Sequence, residues 1–140
     1  DSTKRETKIV CGKDAEAVVT ERLMTHGDQV AESDMEIVLD GEGSRGRVIS
    51  RSVAKNTSHQ TFYPKMVGNA ACFGHVQCDS IIMDHAQVGS IPEIQAKHVD
   101  AAIIHEAAIG RINDEQLLKL RTLGMTEAEA ENVIIENFLS

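Results

Sequence analysis

Apolar positions up to Ile112 fall in short β-branched stretches separated by turn-forming residues. Four stretches align on one another: 16–24, 46–54, 74–82 and 101–109, with apolar anchors at Val18, Val48, Val76 and Ile103. The anchors recur at intervals of 30, 28 and 27 residues. A second set lies between them at 35–39 (MEIVL), 65–67 and 91–96. Turn signals separate the sets: His26-Gly27-Asp28, Asp40-Gly41-Glu42-Gly43, Gly68-Asn69 and Val88-Gly89-Ser90. A period near thirty residues with two strand stretches per period predicts a parallel β-solenoid, each coil stacked on the last. A sandwich of seven short strands fits the periodicity nearly as well, but it does not predict aligned repeats.

The pattern changes near Gly110–Asn113. Up to Ile112 there are 22 Ile plus Val against two Leu, and from Asn113 onward five Leu against three Ile plus Val. β-branched side chains suit pleated sheets and lose rotamer freedom in helices. Residues 1–112 are therefore expected to be mainly β, and 113–140 a helical hairpin. Asn113 with Gln116 reads as a capping box, with Asp114 and Glu115 in the first turn. Gly124 ends that helix, and Thr126 with Glu129 opens a second. The plainest role for the hairpin is a cap that closes the end of the β core; the sharper one is a docking surface.

Composition narrows the function classes. The chain has 140 residues, 41% of them apolar and 3% aromatic, so its core must be aliphatic. A net charge of −8 argues against nucleic acid and anionic membranes as partners. No apolar run approaches the ~18 residues of a membrane helix. Three cysteines, Cys11, Cys72 and Cys78, make an odd count without C-x-x-C, which favours reduced thiols and a cytoplasmic location. A start at Asp1 rather than Met is expected of a fragment or a processed product.

The repeat also places residues in columns. Two positions after each anchor come Thr20, Ser50, Cys78 and His105. In that register Cys78 and His105 are neighbours on adjacent coils and share a face, while Glu106 points the other way. Thiolate and imidazole both ligate iron or zinc. One Cys and one His cannot close a four-ligand site from this column alone; a second chain could complete it. The bland alternative is a buried Cys packing as a small hydrophobe beside a satisfied His. A Cys/His nucleophilic pair is remote, because no oxyanion loop or nucleophile elbow accompanies it. Cys11 and Cys72 read as incidental, and His59, His75, His85 and His98 as solvated residues near turns. No GxxxxGK[ST], GxGxxG or HExxH occurs.

The stretch 74–112, GHVQCDSIIMDHAQVGSIPEIQAKHVDAAIIHEAAIGRI, resembles the C-terminal part of the SufB/SufD family of iron–sulfur cluster assembly proteins. The resemblance rests on Cys78-Asp79, then Ile91-Pro92-Glu93-Ile94, then the segment His105-Glu106-Ala107-Ala108. It continues through the two-helix ending, DEQLLKLRTLGMTEAEAENVIIENFL, and back through 45–54 (RGRVISRSVA). It implies a right-handed parallel β-helix with a C-terminal two-helix hairpin. It also implies a scaffold without catalytic turnover, on which nascent iron–sulfur clusters are built. The partners it implies are a SufC-type ATPase bound through the C-terminal helices, and a homodimer or a SufB/SufD-like mate. It assigns His105, with Cys78 as a weaker transfer, to cluster components and iron, and Glu106 to an acidic position of the SufB-like members. A structural β-helix that dimerises without a cluster is the other reading.

Overall fold

The computed structural model describes residues 2–140. Nine strands precede two helices: β1 (Ser2–Cys11), β2 (Glu16–Thr25), β3 (Val30–Leu39), β4 (Ser44–Ala54), β5 (His59–Gly68), β6 (Cys72–Ile82), β7 (Gln87–Ser90), β8 (Glu93–Ala96), β9 (Ala101–Gly110), α1 (Asp114–Thr122) and α2 (Glu127–Leu139). Odd strands up to β7, together with β8, form one parallel sheet. The other follows the order β2-β4-β6-β9. The chain therefore winds through about four coils of a parallel β-solenoid, and the sandwich alternative falls away.

The true register differs from the expected one by a residue or two. Val48 faces Val19 rather than Val18, and Val76 faces His105 rather than Ile103. The interior row is Glu21–Ser50–Cys78–Ala107. Thr20 points outward and is exposed. The ambiguity arises because Val18-Val19 and Ile103-Ile104 are β-branched doublets, either member of which can serve as an anchor. Burial decides between them: Val18 is 57% exposed, whereas Glu21 on the opposite parity is only 5% exposed.

Other departures have local causes. β1 was not expected, since its sequence is polar. It pairs residue for residue with β3 from Ser2↔Val30 to Cys11↔Leu39 and buries Cys11 at its end. Cys72 is also a core residue, so neither cysteine is incidental. Val88-Gly89-Ser90 belongs to β7 instead of a turn. The strand expected at 91–96 is broken at Ile91-Pro92, because proline has no N–H for the ladder.

The interior is divided along its length. One half holds Ile37, Leu39, Val48, Met66 and Val76, all fully or nearly fully buried. A Cβ on inward-facing Gly74 would lie 2.1 Å from Met66 Sδ, so the missing side chain is what makes room for the methionine. The other half is polar and internally bonded. Ser33 donates to Glu21 at 2.8 Å, Ser52 and Ser80 share a bond of 2.7 Å, and Gln60 donates to Thr25 at 2.8 Å. Buried hydroxyls satisfied in this way cost far less than orphaned ones.

The turns after β2, β4 and β6 stack as a ladder. Gly27, Asn56 and Asp84 are all left-handed, at φ 58°, 60° and 58°. Gly27 N–H donates to Asn56 Oδ1 at 2.9 Å, and Asn56 N–H donates to Asp84 Oδ2 at 3.0 Å. Asn56→Ala should therefore lose about 1–2 kcal/mol of stability, from the left-handed backbone and the lost acceptor. Asn56→Gly should lose less, and urea unfolding of both checks the difference.

The hairpin forms as its sequence implies, with one change of cap. Thr126 and Glu129 exchange backbone bonds of 3.2 Å each, whereas Asn113 accepts from Glu115 N–H at 2.7 Å with no box to Gln116. The hairpin does not close the end of the solenoid. α2 buries Ala130 and Ile135 and lies over the outer face of the β2-β4-β6-β9 sheet. Arg22 donates to the Leu139 carbonyl, and Arg51 to the Ser140 carbonyl at 2.7 Å. Two guanidiniums thus cover the negative end of the helix dipole. Placed there, the hairpin leaves the free edge of β9 uncovered, and β6 is the only strand that β9 pairs with among the described residues.

Candidate functional site

Alternation along β6 turns Cys78 inward with Val76 and Ser80, and alternation along β9 turns His105 inward with Ile103. Cys78 faces Ala107 directly and reaches His105 diagonally, with Sγ 4.0 Å from Nε2. The structure thus brings the two expected residues together in the last coil, although not in one row. Ligands at ~2.3 Å (thiolate) and ~2.05 Å (imidazole) on a tetrahedral metal would stand about 3.6 Å apart, so a small rotamer change would let both bind one ion.

Glu106 does not join them. It points outward, and its Oε2 lies 3.4 Å from His75 Nε2. His75 is therefore not a solvated turn residue; it sits mid-strand on β6, partly covered. The alternation of 74–78 carried that signal. Among the described residues no three His, Cys, Asp or Glu converge as a metal cluster, so one chain offers the pair alone.

Cys78 is 4% exposed. Burial pushes its thiol up to about 11; Ser90 beside it works against that shift, while the carboxylates of Asp79 and Glu21 add to it. Cys78, Ser50, Glu21, Ser90 and Ile109 line an interior cavity of about 20 Å³, room for roughly one water. Sequence reasoning missed Glu21 and Ser90. Glu21 was hidden by the one-residue register shift, and Ser90 by being assigned to a turn.

A family model for the core domain of SufBD, of the SUF system for FeS cluster assembly, matches residues 2–138. The chain belongs to the SufBD family. It is similar to an iron–sulfur cluster assembly SufBD family protein of Methanothermobacter thermautotrophicus, 29% identical over 136 residues, which cover 96% of this chain and 33% of that protein. It is likewise similar to one from Methanocaldococcus jannaschii, 33% identical over 135 residues, 96% of this chain and 43% of the relative. A third, from Archaeoglobus fulgidus, is 30% identical over 129 residues, 91% of this chain and 35% of the relative. This SufBD chain thus spans about a third to two fifths of the length of these relatives. Membership supports a role in iron–sulfur cluster assembly. Among the described residues no helix is long and apolar enough to cross a membrane.

Proposed function

We propose that this SufBD chain is a scaffold component of cytoplasmic iron–sulfur cluster assembly, SufB/SufD-like, that holds nascent cluster components without turnover of its own. The observation that carries the reading is the thiol–imidazole pair on adjacent strands of the last coil, beside an open strand edge. Iron and sulfide are here the cargo. Iron would displace the Cys78 proton and take His105 as its nitrogen ligand, because a metal binds thiolate in place of thiol. A second copy pairing along β9 makes a homodimer and brings a second thiol and imidazole, which supplies the ligands that one chain lacks. A SufB/SufD-like mate would serve in the same way.

A SufC-type ATPase is the further partner in this reading. The surface offered to it is the hairpin, where Leu120, Val133, Ile134 and Phe138 line an open apolar groove beside Ile81. An amphipathic helix laid in such a groove is a common mode of recognition. One observation favours the alternative, a structural solenoid that dimerises without cargo: Cys78 is buried, and that burial pushes its thiol up and favours the protonated form.

His105→Ala separates the two readings. The side chain is only half-buried, so its removal should leave the strand circular dichroism unchanged. Ferrous iron retained after anaerobic desalting should fall by about tenfold or more, as expected for loss of one of two protein ligands. No iron on the unaltered protein would favour the structural solenoid, and unchanged iron in the variant with an intact fold would take His105 out of the site.

A further inference from the structure

The outer face of the β2-β4-β6-β9 sheet has two halves, and α2 covers only one of them. There Arg22 and Arg51 hold the end of the helix, and Ile81 lies beside the hairpin. In the other half the outward residues form two rows across the four strands. One row is Glu16–Arg45–Phe73–Ala102, and the next is Val18–Arg47–His75–Ile104. All of them but His75 are exposed. A hollow of about 300 Å³ lies among them, lined by Arg45 and Arg47 together with Glu16, Phe73 and His75.

Strand cations elsewhere are engaged by their own neighbours. On the outer face of the other sheet, Lys4, Lys8 and Lys65 each lie within 4.0 Å of a carboxylate. Arg45 and Arg47 have no ion-pair partner among the described residues, although the chain carries a net charge of −8. Of the acids on this face, Glu106 is turned to His75 at 3.4 Å, and Glu16 stands at the β2 side of the hollow. Arg45 is held over the Phe73 ring, its guanidinium carbon 5.7 Å from the centroid. That contact steadies the charge without neutralising it.

The covered half shows what this face accepts. α2 carries Glu127, Glu129, Glu131 and Glu136 with no cation, and it buries Ala130 and Ile135. The uncovered half offers the same two kinds of contact: exposed apolar side chains at Val18, Phe73 and Ile104, and a pair of arginines. We infer that it docks an acidic amphipathic helix of another polypeptide, with the apolar side on Val18, Phe73 and Ile104 and the carboxylates on Arg45 and Arg47. Helices laid by one face on a complementary surface are a common mode of recognition. Cluster binding at Cys78 plays no part in it, and the residues are distinct from those of the groove offered to the ATPase.

A fluorescein-labelled peptide of residues 126–140 serves as the probe, and anisotropy follows its binding to the intact protein. The double variant Arg45→Gln, Arg47→Gln should raise Kd about tenfold, as expected for two exposed ion pairs. Its circular dichroism should not change, because both side chains are exposed. The double variant Lys97→Gln, Arg121→Gln removes the same charge at exposed positions elsewhere and should leave Kd within about twofold. A peptide carrying Val133→Ser, Ile134→Ser and Phe138→Ser should bind about tenfold or more weakly. No binding at millimolar peptide overturns the proposal. Equal affinity in the Arg45→Gln, Arg47→Gln protein overturns it too, since the peptide would then have displaced α2 from its own half. Undiminished binding of the serine-substituted peptide reduces the patch to an anion site and rules out the helix. Self-association in light scattering that disappears with the two arginines, in place of peptide binding, gives the face to a second copy and likewise contradicts the proposal.

Discussion

Leu39→Ala is expected to cost about 3–4 kcal/mol, within the range for a large core truncation. Leu39 is fully buried at the end of β3. It packs over the two inward glycines of the neighbouring sheet, its methyl carbons 3.0 Å and 3.3 Å from where the Cβ atoms of Gly46 and Gly74 would stand. Glycine has nothing to extend into the hole, and the solenoid backbone is fixed by unbroken ladders on both sides of β3. The cavity would thus collapse little, which places the cost above the low end of the range. Leu118→Ala on α1 is the matched control: that side chain is 64% exposed, and its loss should stay within about 0.5 kcal/mol. Urea unfolding followed by circular dichroism reads both. A loss near 1 kcal/mol at Leu39 would mean that the core relaxes far more than its ladders allow.

A second large effect belongs to Cys78. With the thiol pushed up to about 11 by burial, its alkylation should keep rising about tenfold per pH unit past pH 9, where an ordinary thiol levels off. The folded state holds this proton more tightly than the unfolded chain, whose thiol titrates near 9.0. Its contribution to stability is therefore complete below pH 9 and is lost as pH climbs from 9 to 11. By pH 10 the loss should be about 1–1.5 kcal/mol. Cys78→Ser should lack that increment, so the two stability profiles converge between pH 8 and pH 10. Parallel profiles, or alkylation that saturates near pH 9, would place the thiol in water-like surroundings.

Much of this architecture was legible in the residues. The excess of Val and Ile before Asn113, the recurrence near thirty residues and the Thr126/Glu129 box together specify a solenoid followed by a hairpin. What escaped has a common cause. Parallel strands buried on one face are read by parity, and doublets such as Val18-Val19 blur parity by one residue. That slip hid Glu21 inside the barrel of coils and put Thr20 in its place. It did not harm the Cys78–His105 pairing, because the error at β9 was two residues, which preserves the face. β1 escaped for another reason. Its lysines, arginine and glutamate carry no apolar rhythm, and it is a strand because β3 beside it offers a free ladder. The placement of the hairpin was illegible as well, since it depends on Arg22 and Arg51 projecting from strands distant in sequence.

The central claim is that Cys78 and His105 together hold iron at the last coil. It is tested most directly by reconstituting the protein anaerobically with ferrous iron and sulfide and recording iron X-ray absorption. The account predicts a sulfur shell near 2.3 Å and a nitrogen scatterer near 2.0 Å, with the nitrogen lost in His105→Ala and the bound iron lost in the double variant Cys78→Ser, His105→Ala. The same shells and the same iron content in the double variant, with its solenoid intact, would contradict it.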